Sequence, residues 1–138
     1  MDERGTTVAR TPLHASAAYN FVDDLRREIA EGYDINGADE TGFTPLHSAC
    51  FQSSYDTAKV LLEAGASTSL QDKWGNTPLN YVVKNNENSL RMVTLLLEYG
   101  ADPTIENNYG HSPLRNSKRM QGTEQLIPLL ESATRKNT

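Results

Sequence analysis

Along this chain a hydroxyl residue and a proline repeatedly precede a leucine and a run of small or apolar residues: TPLHASA (11–17), TPLHSAC (44–50), TPLNYVV (77–83) and, more loosely, SPLRNSK (112–118). Thr11, Thr44 and Thr77 are spaced 33 residues apart, and Ser112 follows after 35. Each phrase predicts a helix start. The Thr or Ser hydroxyl accepts from orphan backbone amides, and proline at the first helical position gives up no needed N–H. Leu13, Leu46, Leu79 and Leu114 are then expected to point inward. A polar link leads to a second apolar stripe, in NFVDDLRREI (20–29), SSYDTAKVLL (53–62), NSLRMVTLLL (88–97) and TEQLIPLL (123–130). Val22, Leu25 and Ile29 stand at i, i+3 and i+7, and Ala58, Leu61 and Leu62 repeat the stripe, as an amphipathic helix requires. Gly32, Gly65 and Gly100 follow the last apolar residues, where a left-handed residue closes a helix.

The repeating unit is helix, turn, helix, stop. Its third copy carries two extra residues, assigned to the link NNENS (85–89), because Thr77 to Gly100 spans 23 positions and the earlier pairs 21. Short extended runs join the units, YDINGADETGF (33–43), ASTSLQDKWGN (66–76) and ADPTIENNYGH (101–111), with Gly42, Gly75 and Gly110 at the turns of projecting hairpins. Helices of about ten residues are marginal alone in water, so each pair must bury its face against a neighbour. The first unit has Arg27 and Glu28 where the second has Val60 and Leu61, and the last has Ser117 and Lys118 where the second has Ala49 and Cys50. Polar end faces predict terminal caps and a complete four-unit stack. Pro128, inside the last predicted helix, is expected to kink or shorten it.

At 138 residues, 37% hydrophobic and 22% charged, the chain suits one folded unit. A lone cysteine, Cys50, excludes an internal disulfide framework and suits a reducing compartment, so cytoplasm is the expected location. The amino terminus resembles no targeting segment, and no apolar run approaches membrane-spanning length. The net charge of −5 divides into −8 over residues 1–108 and +3 over 109–138. An acidic body argues against nucleic acid as the main partner. Arg115, Lys118, Arg119, Arg135 and Lys136 make a mild basic end, read most simply as solvated surface.

With TPLH, a following pair of small residues, LLEAGA and D-x-x-G in one register, the sequence resembles the ankyrin repeat over about residues 8–132. The resemblance implies an all-α repeat solenoid of four helix-turn-helix units with projecting β-hairpin loops. The divisions are a lead-in at 1–10, units at 11–43, 44–76 and 77–111, a truncated capping unit at 112–132, and a tail at 133–138. The match weakens at the end, where Arg115 replaces the histidine and no closing glycine follows Leu130. The resemblance also implies that His14 and His47 are structural, bonded near the adjacent hairpin and helix start.

Little else in the sequence suggests catalysis. No phosphate-cradling loop, G-x-S-x-G or H-E-x-x-H is present, and three histidines offer no metal-site spacing. His47 and Cys50 lie one helical turn apart, but Cys50 fills a slot held by Ala17 and Val83 in other units, so packing is the simpler role. The expectation is no enzyme, no cofactor and no metal.

Ankyrin-like stacks bind other proteins on a concave face of hairpin tips and first helices. Carried over by position, this selects Glu40, Thr41 and Phe43, then Lys73, Trp74 and Asn76, then Asn108, Tyr109 and His111 on the tips. On the first helices it selects Tyr19, Phe51, Gln52 and Lys84, beside Ala18, Asn85, Arg119 and Met120. Phe43, Phe51, Trp74 and Tyr109 are expected to converge, as aromatic hot spots do; the alternative is that Trp74 only covers a neighbouring hairpin. The expected function is binding of a partner protein by a chain monomeric on its own, plausibly as a stoichiometric inhibitor such as a toxin-neutralising immunity protein. An acidic face would suit a basic partner. An adaptor bridging two partners is the alternative.

Overall fold

A computed structural model of the protein describes residues 11–84 and 88–136; the lead-in at 1–10, the end of the tail and Asn85, Asn86 and Glu87 of the third link lie outside the described residues. The described residues form paired helices: α1 (Pro12–Ala18) with α2 (Val22–Ala30), α3 (Pro45–Phe51) with α4 (Tyr55–Glu63), α5 (Pro78–Val82) with α6 (Ser89–Glu98), and α7 (Pro113–Arg119) with α8 (Ile127–Lys136). Every first helix begins on the hydroxyl–proline phrase, with Thr11, Thr44, Thr77 or Ser112 as an extended N-cap. Proline sits where its missing N–H has no intrahelical partner to lose.

First helices pack on first helices, α1 on α3 and α3 on α5, while α2 packs on α4, α4 on α6 and α6 on α8. The core is the seam between these rows. Leu13, Leu46 and Leu79 of the repeated phrase are buried within it, with Leu25, Leu61, Met92, Leu96, Leu126 and Leu130 from the second row. Burying a leucine fully contributes roughly 1.5–3 kcal/mol, which short helices need. Leu114, on the last unit, is only partly buried. Of the polar residues expected on the end faces, Arg27 and Lys118 are solvent-exposed, but Glu28 and Ser117 are buried. Ser117 is covered because Thr123 folds back on it, the Thr123 hydroxyl donating to the Ser117 carbonyl at 2.7 Å.

The helix closures follow the glycines. After α4, Gly65 has φ +97°, its amide donates to the Leu62 carbonyl and that of Ala66 to Leu61, the paired bonds of a Schellman closure. Pro128 does not kink the last helix. A 3-10 turn at Glu124–Leu126 precedes it, which leaves Pro128 in the first turn of α8, and the helix runs beyond residue 132 to Lys136.

Tight loops project between the units, and among the described residues they contain no β-strand. A side-chain oxygen, from a carboxylate or an amide, supplies bonds that a strand ladder would. Asp39 accepts from the amides of Thr41 and Phe43, Asp72 from those of Trp74 and Asn76, and Asn107 does the same for Tyr109 and His111. Successive loops then join edge to edge: the Lys73 amide donates to the Thr41 carbonyl, and the Asn108 amide to that of Trp74, both at 2.9 Å.

Candidate protein-binding face

His14 and His47 fix the loops to the first helices. Each ring lies across two units: Nδ1 of His47 accepts from the Thr44 amide at 3.2 Å, and Nε2 meets the Asn76 carbonyl at 2.9 Å. A carbonyl can only accept, so the proton sits on Nε2 and the ring is neutral. His14 does the same between Thr11 and the Phe43 carbonyl. Burial holds the pKa of His47 below the usual histidine value. Both ring nitrogens being engaged, His47 has none left to serve Cys50 as a base. Cys50 itself is fully buried, and that burial pushes its thiol pKa up, away from a reactive thiolate.

The loops so held, with the first helices, enclose an open cleft of about 370 Å³ lined by Thr41, Phe43, Phe51, Trp74 and Tyr81. The rings touch. Phe43 lies 6.1 Å from Phe51 and 5.3 Å from Tyr81, and Phe51 is 5.6 Å from Tyr81 in an edge-on arrangement. Phe51 remains 51% exposed and Trp74 37% exposed. Next to the cleft, a groove between the first two units is lined by Ala15, Ala18, Tyr19, Ser48 and Gln52, with Phe43 and Phe51 shared between the two.

The cleft's polar atoms are already engaged. The Thr41 hydroxyl donates to Asp39 at 2.7 Å. The Tyr81 hydroxyl donates to Asp72 and accepts from Asn76, and burial followed by the Asp72 bond pushes its pKa up to about 12. Two cations stand at the cleft: Lys73 Nζ is 4.7 Å from the Trp74 ring, and Lys84 Nζ is 5.5 Å from the Phe51 ring while donating to the Phe51 carbonyl at 2.7 Å.

Among the residues selected from sequence, Thr41, Phe43, Phe51 and Trp74 share the cleft, and Tyr19 and Gln52 share the adjoining groove. Glu40 is exposed on its loop. Tyr109 does not join the other rings; it stands 69% exposed on the third loop, with His111 beside it bonded to Arg119. Asn76 and Asn108 hold the stack together: the Asn76 side chain takes bonds from Asn80 and Asn107, and the Asn108 side chain donates to the Lys73 carbonyl. Asn85 lies outside the described residues. Tyr81 is the residue that position-by-position reading missed. Its slot holds Ala15, Ser48 and Asn116 in the other units, so a ring replacing small or polar residues was the available signal.

The charge expectation changes. Helices α1, α3, α5 and α7 contain no Asp or Glu, whereas Asp23, Asp24, Glu28, Asp56, Glu63 and Glu98 lie on second helices. Acids of the face are therefore confined to its loops, where Glu40 and Glu106 are exposed while Asp39 and Asp72 are buried in turns.

Helix pairs stacked in register, with loop tips and first helices sharing one cleft, define a helical repeat protein. Family models described as ankyrin repeats match residues 2–72 (three copies) and 61–115 (many copies). The chain belongs to the ankyrin-repeat family, whose repeats serve as protein–protein interaction modules. It is 40% identical over 72 residues to the potassium channel KOR1 of Oryza sativa subsp. japonica, 52% of this chain and 8% of the channel. It is 34% identical over 64 residues to the ankyrin repeat-containing protein P1E11.10 of Schizosaccharomyces pombe, 46% of this chain and 31% of that protein. With protein phosphatase 1 regulatory subunit 12A of Mus musculus it shares 32% over 76 residues, 55% of this chain and 7% of the subunit. The chain thus spans less than a third of each of these relatives. Among the described residues, no helix is long and apolar enough to cross a membrane, and no group of three or more His, Cys, Asp and Glu is placed to hold a metal ion.

Proposed function

We propose that this protein is a non-catalytic binding module that takes a partner protein on the first-helix face and acts by occupying or masking the partner's surface, as a stoichiometric inhibitor does. The observation that carries the reading is the open cleft walled by Phe43, Phe51, Trp74 and Tyr81, since exposed aromatics clustered in a pocket are the side chains that dominate binding energy. One mammalian relative is named as a regulatory subunit, in keeping with control exerted by binding. The toxin-neutralising version of this role leans on an acidic face, to which only the loops contribute, through Glu40 and Glu106. A bridging adaptor needs a second surface. Arg115 and Arg119 of the basic end reach instead to the third loop tip, bonding Gly110 and His111, which favours one face over two. The buried, unpaired Cys50 thiol suits the cytoplasm, where we place the protein, as a monomer until it meets its partner.

Affinity capture with mass spectrometry, run on wild type and on the Phe51→Ala/Trp74→Ala pair, tests the reading. The expected result is one dominant partner whose activity falls as the complex forms, and a loss of more than about 2 kcal/mol of binding in the pair with its unfolding midpoint kept. Recovery of the same partner at undiminished affinity by the pair would place the site elsewhere.

A further inference from the structure

The first-helix face changes chemistry along the stack. At one helix position Ala18, Phe51, Lys84 and Arg119 succeed one another, and at one loop position Phe43, Asn76 and His111 do. The helix position therefore holds an aromatic ring, Phe51, in the second unit, with Phe43 of the first loop beside it, and cations in the third and fourth. These cations have neutral partners: Lys84 donates to the Phe51 carbonyl, Arg115 to the Gly110 carbonyl at 2.9 Å, and Arg119 to Nε2 of His111 at 3.1 Å. Among the described residues the ion pairs join Arg27 to Asp24, Glu28 and Glu31 and Lys118 to Glu131; none involves Lys84, Arg115 or Arg119. A carboxylate arriving from outside would be the first to meet them. The cleft beside them has its own hydroxyls bonded internally, so it accepts an apolar group without stranding a polar one.

Resting on the reading that this face binds a protein, we propose that the bound segment is acidic: one apolar side chain seats among Phe43, Phe51, Trp74 and Tyr81, and carboxylates to one side of it reach Lys84, Arg115 and Arg119. Geometry sets the spacing. Packed helices stand about 8–10 Å apart, and an extended chain advances about 3.3 Å per residue, so one step along the stack matches about three residues. The segment therefore has its acids about three and six positions from the anchor. A basic strip of this kind steers an acidic segment to the face that carries it. Single-stranded nucleic acid also carries negative charge and flat rings, but the rings here gather in one cleft rather than in a row on which successive bases could stack.

Selection of a displayed library of random 16-residue peptides on the whole chain tests this, followed by affinity measurement of the best sequence as a fluorescein-labelled synthetic peptide. Recovered peptides are expected to share an apolar residue with Asp or Glu at the stated spacing. Binding should weaken about tenfold in the K84E/R115E/R119E variant, less in K84Q/R115Q/R119Q, and should weaken as salt is raised. The glutamine variant keeps the test valid if Glu at half-buried position 84 disturbs folding. A library yielding Lys- and Arg-rich peptides or no shared motif overturns the proposal, as does displacement of the peptide by an equal concentration of a thymidine 12-mer. Loss of binding in Phe51→Ala/Trp74→Ala with no effect of either charge variant overturns the acidic partner but leaves the face. Insensitivity to all of them removes both.

Discussion

At Thr44 the hydroxyl accepts from the His47 amide at 3.3 Å and lies 2.9 Å from the ring Nδ1, while at Thr77, where Asn80 follows in the histidine's place, the buried hydroxyl has no partner. The same position in the repeat thus carries a complete capping box in one unit and a bare one in another. The sequence shows why: a neutral imidazole accepts from its own helix start and donates to the next loop at once, whereas the Asn80 amide reaches only Asn76 and Asn116. His47 also makes stability depend on pH. Its folded pKa is lowered by burial, so the unfolded chain is the better proton acceptor, and the stability present above the usual histidine value is lost as pH falls below it. Urea unfolding of wild type at pH 7 and pH 5 should show a clear loss at the lower pH. In His47→Asn, a residue that unit three already accommodates, the loss between the two pH values should shrink. An equal loss in both proteins would move the acid sensitivity to other groups.

At the scale of the element, the helix starts were legible because their determinants are local: a hydroxyl, a proline and a leucine in fixed order. What the period could not convey is how the loops are held. No strand ladder forms; each loop is tied by one Asp or Asn and then to the next loop by a single main-chain bond, which depends on two segments meeting rather than on either alone. The extent of α8 was equally hidden, since ESATRK lacks an apolar stripe and Pro128, expected to kink or shorten the helix from inside, stands in its first turn. The loop contact makes two glycines of similar conformation unequal. A Cβ on Gly75, at φ +85°, would stand 2.6 Å from the Asn108 Oδ1 and 2.7 Å from its amide nitrogen; one on Gly65, at φ +97°, would meet nothing within 4 Å. Gly65→Ala should cost only the left-handed penalty of about 1 kcal/mol. Gly75→Ala should cost more, about 2–4 kcal/mol, by forcing the loops apart. Equal shifts in denaturant midpoint would show that the loops do not support each other.

Across the whole molecule, the stack sorts its chemistry into two rows. Apolar burial between rows sustains helices too short to persist alone, and the charge that remains is divided unevenly, with acids and bases side by side on the second helices and, on the first, no acid and the three bases of α7. The net charge of −5 concealed this division, because composition sums over both rows. Phe43, Phe51 and Trp74 could be placed on one face by carrying the ankyrin resemblance over position by position; Tyr81 and the neutral surroundings of Arg115 and Arg119 required side-chain geometry. The claim joining these scales is that a partner seats on the first helices and loop tips. Hydrogen exchange of the chain alone and saturated with its captured partner tests it most directly. Protection is predicted in the loops at 39–43 and 72–76 and around Phe51 at the end of α3 and Tyr81 of α5. Protection confined to α2, α4 and α6, with those loops exchanging as in the free chain, would contradict it.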